Sequence, residues 1–144
     1  TPARVENAGQ GVVLYIEDNP ANLKLIERML QGRPRLLLIT AHTPKLGLEF
    51  AFVHRPGLIL LDINMPVMDG YEVLKRLRAD PATAAIPVVA VTAAAMPRDR
   101  EKAKAAGFQD YLTKPVDIGR LYGVLDAVFG ANEVAEHERG SKFS

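Results

Sequence analysis

The 144-residue chain contains no cysteine. Neither a disulfide framework nor a thiolate metal site is therefore open to it. It has no apolar run approaching the length that crosses a bilayer. Neither sign of charge is in excess: the formal net charge is +1, so no polyanionic partner is implied. The opening "TPARVENAGQG" has no signal-peptide pattern and no initiator Met. Such a start is expected of a processed chain or of a piece excised from a longer one. No internal repeat is visible. What is present is enough chain for one domain with a real core, in the ordinary composition of a globular protein.

One alternation organises that chain. Apolar runs fall at Val12–Ile16, Arg35–Thr40, Leu58–Leu61, Pro87–Val91 and Asp110–Thr113. Helical patterns lie between and after them. In 19–31, Leu25, Ile26, Met29 and Leu30 share one side while Lys24, Glu27, Arg28 and Gln31 share the other. Asp18 or Asn19 is the candidate cap of that helix. Thr43-Pro44 reads as N-cap and first residue of a helix reaching about His54. Asp69 reads as the cap of a helix over 71–78 that buries Val73, Leu74 and Leu77. Pro97 opens a helix to about Ala106, stopped by Gly107. The last helix, 116–129, places Ile118, Leu121, Leu125 and Val128 on one face. Strands alternating with helices of this length predict βαβ units and a parallel sheet, an α/β fold. The domain is expected over residues 11–130, with a polar lead-in at 1–10 and a charged, aperiodic, fraying tail at 131–144.

The stretch "LILLDINMPVMDG" sets Asp62 directly behind four apolar residues. A carboxylate at the end of a buried strand is costly unless something pairs with it. Glu17 and Asp18 follow the first strand, Thr92 ends the fourth and Lys114 follows the fifth. In a parallel sheet all strand C-termini share one edge, where open α/β sheets bind ligands. Crowded carboxylates repel unless a cation neutralises them. Oxygen ligands without His or Cys suit Mg²⁺. A carboxylate can also act as nucleophile and form an aspartyl-phosphate. Phosphoryl transfer needs positive charge and donors around three oxygens, which Mg²⁺, Lys114 and Thr92 could supply.

Each residue also has a plainer interpretation. The acids of "EDNP" could simply favour a helix N-terminus. Thr92 could be an ordinary strand end, Lys114-Pro115 a turn with a solvated charge, and Tyr111 an edge-strand aromatic. His42, His54 and His137 are isolated and read as surface residues. The conjunction favours chemistry, because each candidate falls at the end of a different strand.

The motifs "YIEDNPAN", "LILLDINMPVMDGYE", "VVAVTAAA" and "DYLTKP" occur in order and spacing that resemble the receiver domain of two-component response regulators. The resemblance covers about Val12 to Phe129. It implies a single flavodoxin-like domain, a five-stranded parallel sheet in order 2-1-3-4-5 with helices on both faces. It implies that Asp62 accepts phosphate from the phosphohistidine of a histidine kinase or a histidine phosphotransfer domain. Asp18 and Asp62 would ligate Mg²⁺ directly, Glu17 through water, and Asn64 through its backbone carbonyl. Lys114 and Thr92 would contact phosphoryl oxygens. Tyr111 matches the aromatic switch position that moves with Thr92, and Ala94 a position that tunes dephosphorylation. Phosphorylation would then remodel the surface of helix four, strand five and helix five. Helix four, with nothing apolar larger than Ala from Arg98 to Ala106, should have a weak burial contribution.

Two other functions share parts of this pattern. A hydrolase of the haloacid-dehalogenase type also uses an Asp after a buried strand, but it usually wants a second acid where Asn64 stands. A phosphate-independent docking module would not need the intact acid set. No basic helix or helix-turn-helix pattern points to nucleic acid. The resemblance implies a cytoplasmic signalling domain rather than an enzyme. The missing Met, the polar lead-in and the "EDNPAN" opening favour the receiver of a hybrid histidine kinase over a stand-alone regulator.

Overall fold

The computed structural model describes residues 11–130. The expected lead-in at 1–10, the tail at 131–144 and His137 lie outside the described residues. The strands are β1 (Val12–Ile16), β2 (Leu37–Ala41), β3 (Leu58–Asp62), β4 (Val88–Thr92) and β5 (Asp110–Thr113). The helices are α1 (Pro20–Leu30), α2 (Pro44–His54), α3 (Gly70–Ala79), α4 (Pro97–Ala106) and α5 (Ile118–Phe129). All strands are parallel, in order β2-β1-β3-β4-β5.

Burial on both sheet faces explains why β1, β3 and β4 are near-continuous apolar runs with every residue buried. Alternate residues feed two cores. Leu14, Ile16, Ile59, Leu61, Val88 and Ala90 pack with Ala51 of α2, Val73 and Leu77 of α3 and Ala103 of α4. Val13, Tyr15, Leu58, Leu60, Val89 and Val91 pack with Ile26 and Leu30 of α1 and with Leu121 and Leu125 of α5.

Helix boundaries follow the expected chemistry. Asn19 caps α1, accepting from the N–H groups of Ala21 and Asn22. Thr43 accepts from Leu46 N–H, and Asp69 accepts from Glu72 N–H. Gly107 ends α4 at φ 112°, a left-handed conformation that glycine adopts without a Cβ penalty. The only buried residue of α4 is Ala103, in keeping with a helix short of large apolar side chains.

Three details differ from the sequence pattern. β2 begins at Leu37 because Pro34 and Arg35 sit in a turn closed by Leu36 N–H on Arg33 C=O at 2.9 Å. In α1 the half-buried Leu23 and Met29 flank Ile26 and Leu30 against the core, and Leu25 is only half-buried. α5 starts at Ile118 because Asp117 caps it. Ile118 is consequently exposed, and Val124 takes the buried position. His42 and His54 are exposed.

Candidate functional site

β1, β3, β4 and β5 end at one sheet edge, and each delivers a polar side chain there. Strand parity decides the side. Tyr15 on β1 and Glu17, just past the end of that strand, are two residues apart and share the α1/α5 side with Asp62, whose strand neighbour Leu60 lies in that core. Thr92 follows Val88 and Ala90, which face the opposite core.

Glu17 is fully buried yet well partnered. Its Oε1 accepts from Lys114 Nζ at 2.9 Å, from the Tyr15 hydroxyl at 2.9 Å and from Asn22 Nδ2 at 3.3 Å. Its Oε2 accepts from Asn19 N–H at 3.2 Å. Burial alone would raise its pKa. The hydrogen bonds, from Lys114 foremost, outweigh burial and bring it down to about 2. Asp62 has fewer donors: Asn64 N–H on Oδ1 at 2.9 Å and Lys114 Nζ on Oδ2 at 3.2 Å. Burial raises its pKa to about 6; the neighbouring Glu17 adds to the rise, while Asn64 N–H and Lys114 oppose it. Of the two acids, Glu17 is the firmly ionised one. Lys114 loses by burial but gains more from Glu17 and Asp62, so its pKa is raised. Lys114 N–H on Thr92 C=O at 2.8 Å fixes the base of that side chain.

Asp18 is exposed and completes an acidic lip. Ligand oxygens of Glu17, Asp18 and Asp62 lie within 4.8 Å of one another. Two buried acids and one open to solvent suit a hard cation that keeps some of its waters. On the Asp18 side lies a groove of about 330 Å³ lined by His42, Pro44, Lys45, Met65, Pro66 and Val67. Val67 is fully exposed and left-handed at φ 73°, an uncommon state for a β-branched residue.

Thr92 and Tyr111 form the other half of the site. Thr92 Oγ1 accepts from Asn64 Nδ2 at 2.7 Å and from Ala94 N–H at 3.2 Å. Tyr111 is buried, and its hydroxyl donates to Ala94 C=O. Arg100 and Lys102 of α4 lie over the rings of Tyr111 and Tyr71 at 5.9 and 4.7 Å.

The structure thus gathers Glu17, Asp18, Asp62, Asn64, Thr92 and Lys114 at one edge, with Tyr111 and Ala94 joined behind Thr92. Three contacts were not read from the sequence. The Asn64 side chain binds Thr92, the Asn22 side chain reaches back to Glu17, and Tyr15 supports Glu17 from within the core. Only the last left a legible signal, a tyrosine two residues before an acid on the same strand face.

Residues 13–126 match the sequence profile of the response regulator receiver domain. The chain is 36% identical over 118 residues to the polar-differentiation response regulator DivK of Brucella anthropi, covering 82% of this chain and 95% of that protein. Its fold is similar to the receiver domain of a sensor histidine kinase from Pseudomonas aeruginosa PAO1, with TM-score 0.74, 33% identity and coverage of 83% of this chain and 97% of the other. That relative has a magnesium ion coordinated in its active-site cleft. Chemotaxis protein CheY4 of Vibrio cholerae is similar at TM-score 0.74 and 28% identity, covering 82% and 98% of the two chains. Because the profile match runs through every strand that contributes to the acidic edge, the chain belongs to the response regulator receiver domains of two-component signalling.

Proposed function

We propose that this chain is the phosphoacceptor of a phosphorelay. Asp62 takes a phosphoryl group from the phosphohistidine of a histidine kinase or a histidine phosphotransfer domain, and the receiver unit spans residues 11–130. The observation that carries this is the shared lysine: Lys114 Nζ bridges Glu17 and Asp62 at 2.9 and 3.2 Å, beside the three clustered carboxylates. That set offers one nucleophilic carboxylate, one cation shared between two acids and a metal site.

Asp18 and Asp62 would hold Mg²⁺ directly, with Glu17 acting through water and Asn64 through its backbone carbonyl. Mg²⁺ bound there supplies charge neutralisation for the acids and for the incoming phosphoryl oxygens. The chain's own residues do the rest. An Asp62 oxygen attacks phosphorus, the P–N bond to the donor histidine breaks, and its electron pair leaves with the imidazole. Lys114 shifts from the Asp62 carboxylate to a phosphoryl oxygen, and the Thr92 hydroxyl donates to another. Tyr111 is already packed inward. The phosphoryl group therefore acts by holding Thr92 and Tyr111 in place, and by stabilising one arrangement of the α4–β5–α5 surface. Ala94 tunes dephosphorylation from its place behind Thr92.

Incubation with acetyl phosphate and Mg²⁺, followed by intact mass over time, tests the proposal. A transient gain of one phosphoryl group is expected. Rapid turnover of many phosphate esters would instead indicate a hydrolase, and no change a docking module. Asp18→Asn should leave the fold intact and weaken Mg²⁺ binding. An unchanged Mg²⁺ titration would remove Asp18 from the metal site.

The donor must approach over the sheet edge. The exposed first turn of α1, Pro20 and Ala21, borders that edge together with Pro115 and Val67. Ala21→Arg should slow transfer from a cognate phosphohistidine protein by about tenfold, the effect of roughly 1.4 kcal/mol at an interface. Labelling by acetyl phosphate should barely change. Equal losses in both assays would mean damage to the site, and no loss in either would place docking elsewhere.

A further inference from the structure

Tyr15 is, with Tyr111, one of the two largest fully buried side chains among the described residues, at 0% exposure on an otherwise aliphatic strand. Its ring packs with the α1/α5 core, where Phe or Leu could serve as well. A buried phenol needs a partner for its hydroxyl. Here the partner is not a nearby carbonyl but the carboxylate of Glu17, itself at 0% exposure. The same Oε1 also receives Lys114 Nζ, which reaches on to Asp62 Oδ2.

We propose that Tyr15 is a positioning residue for phosphoryl acceptance. From below, its hydroxyl fixes the rotamer of Glu17. Glu17 in turn sets where Lys114 stands beside Asp62 and how the acid cluster faces a cation. The proposal rests on the phosphoacceptor reading for its consequence, but the Tyr15–Glu17 bond exists without it.

The geometry gives the direction. Three donors converge on Oε1, and Tyr15 is the one that comes from the dry side, where no water can replace it. Without the hydroxyl, Oε1 keeps only Lys114 and Asn22, both from the solvent side of the pocket. The carboxylate is then free to turn toward them. It draws Lys114 away from Asp62 and leaves the metal-facing arrangement. Partners of a ligand carboxylate typically change metal affinity by about 10–100-fold when removed.

The experiment is a double-mutant cycle on the full chain with Tyr15→Phe and Glu17→Ala, read by Mg²⁺ titration and by the side-chain carboxyl ¹³C resonance of Glu17 without metal. Tyr15→Phe should weaken Mg²⁺ about tenfold in the parent background and change it little beside Glu17→Ala. It should also move the Glu17 carboxyl resonance in metal-free buffer. Mg²⁺ affinity within twofold of the parent, or the same factor in both backgrounds, would overturn the positioning role. If the parent chain bound no Mg²⁺, the metal reading would fall. The metal-free resonance would still decide Tyr15, and an unmoved signal would reject its hold on Glu17. Should Tyr15→Phe fail to fold, the Tyr15 ring Cζ resonance of the Glu17→Ala chain gives the same decision. It must move if the bond is present.

Discussion

Asp62→Asn is expected to melt above the parent chain at pH 7 in buffer without divalent metal, while losing all labelling by acetyl phosphate. The pKa of Asp62 is raised from 3.8 to about 6, chiefly by burial. A raised pKa means that the folded chain holds this proton more tightly than the unfolded chain does. The corresponding stability is fully present below about pH 4 and is lost as pH rises through about 6. At pH 7 the ionised carboxylate costs about 2–3 kcal/mol. Asn carries no charge and keeps the Oδ1 that accepts from Asn64 N–H. Removing the cost should raise the melting temperature by roughly 5–15 °C at pH 7. The two chains should converge near pH 4. Mg²⁺ should stabilise the parent more than the variant. Thermal melts at both pH values, with and without Mg²⁺, check this. A variant less stable than the parent at pH 7 would contradict the assignment of Asp62 as an unfavourably buried, functional charge.

Gly70→Ala should cost stability and function together. Gly70 opens α3 directly after the Asp69 cap, and its N–H donates to Ile63 C=O at 3.1 Å. A Cβ on Gly70 would stand 2.5 Å from Ile63 Cγ2 and 2.6 Å from Ile63 Cα. A side-chain methyl can turn aside, but the Cα belongs to the backbone that carries Asp62 on one side and Asn64 on the other. Either α3 moves off or the β3–α3 loop shifts. Overpacking of this kind costs about 1–3 kcal/mol, and a backbone contact belongs at the upper end. Because the shifted segment holds the acceptor, labelling should slow more than the stability loss alone accounts for. Denaturant titration and the acetyl-phosphate rate, measured on the folded fraction, read the two effects separately. Unchanged stability would show that the α3 entry yields more easily than this contact implies.

Much of this was legible in the chain itself. The runs before Glu17, Asp62 and Thr92 are apolar at every position because both sheet faces are covered, so they could be read as buried parallel strands without alternation. The caps Thr43 and Asp69 stood in the sequence as residue types suited to that local role, and Asn19 stood there as one of two candidates beside Asp18. Parallel strands then forced the acids and Lys114 to one edge. What was not legible depended on angles and rotamers. Ile118 satisfies the apolar spacing of α5, yet Asp117 capping puts it at the first helical position, where it faces solvent. Leu25 and Leu23 lie two positions apart, and only the docking angle of α1 decides which meets the core. The bonds from Asn64 to Thr92 and from Asn22 to Glu17 are side-chain choices among several open to an amide.

The central claim is that Asp62 is the acceptor, and the position of the label tests it most directly. The full chain, treated with acetyl phosphate and Mg²⁺ and then digested, should carry a single acid-stable, base-labile phosphoryl group on the peptide containing Leu58 to Gly70. Fragmentation should place it on Asp62, and the Asp62→Asn chain should carry none. A label on another residue, or equal labelling of the Asp62→Asn chain, would contradict the account.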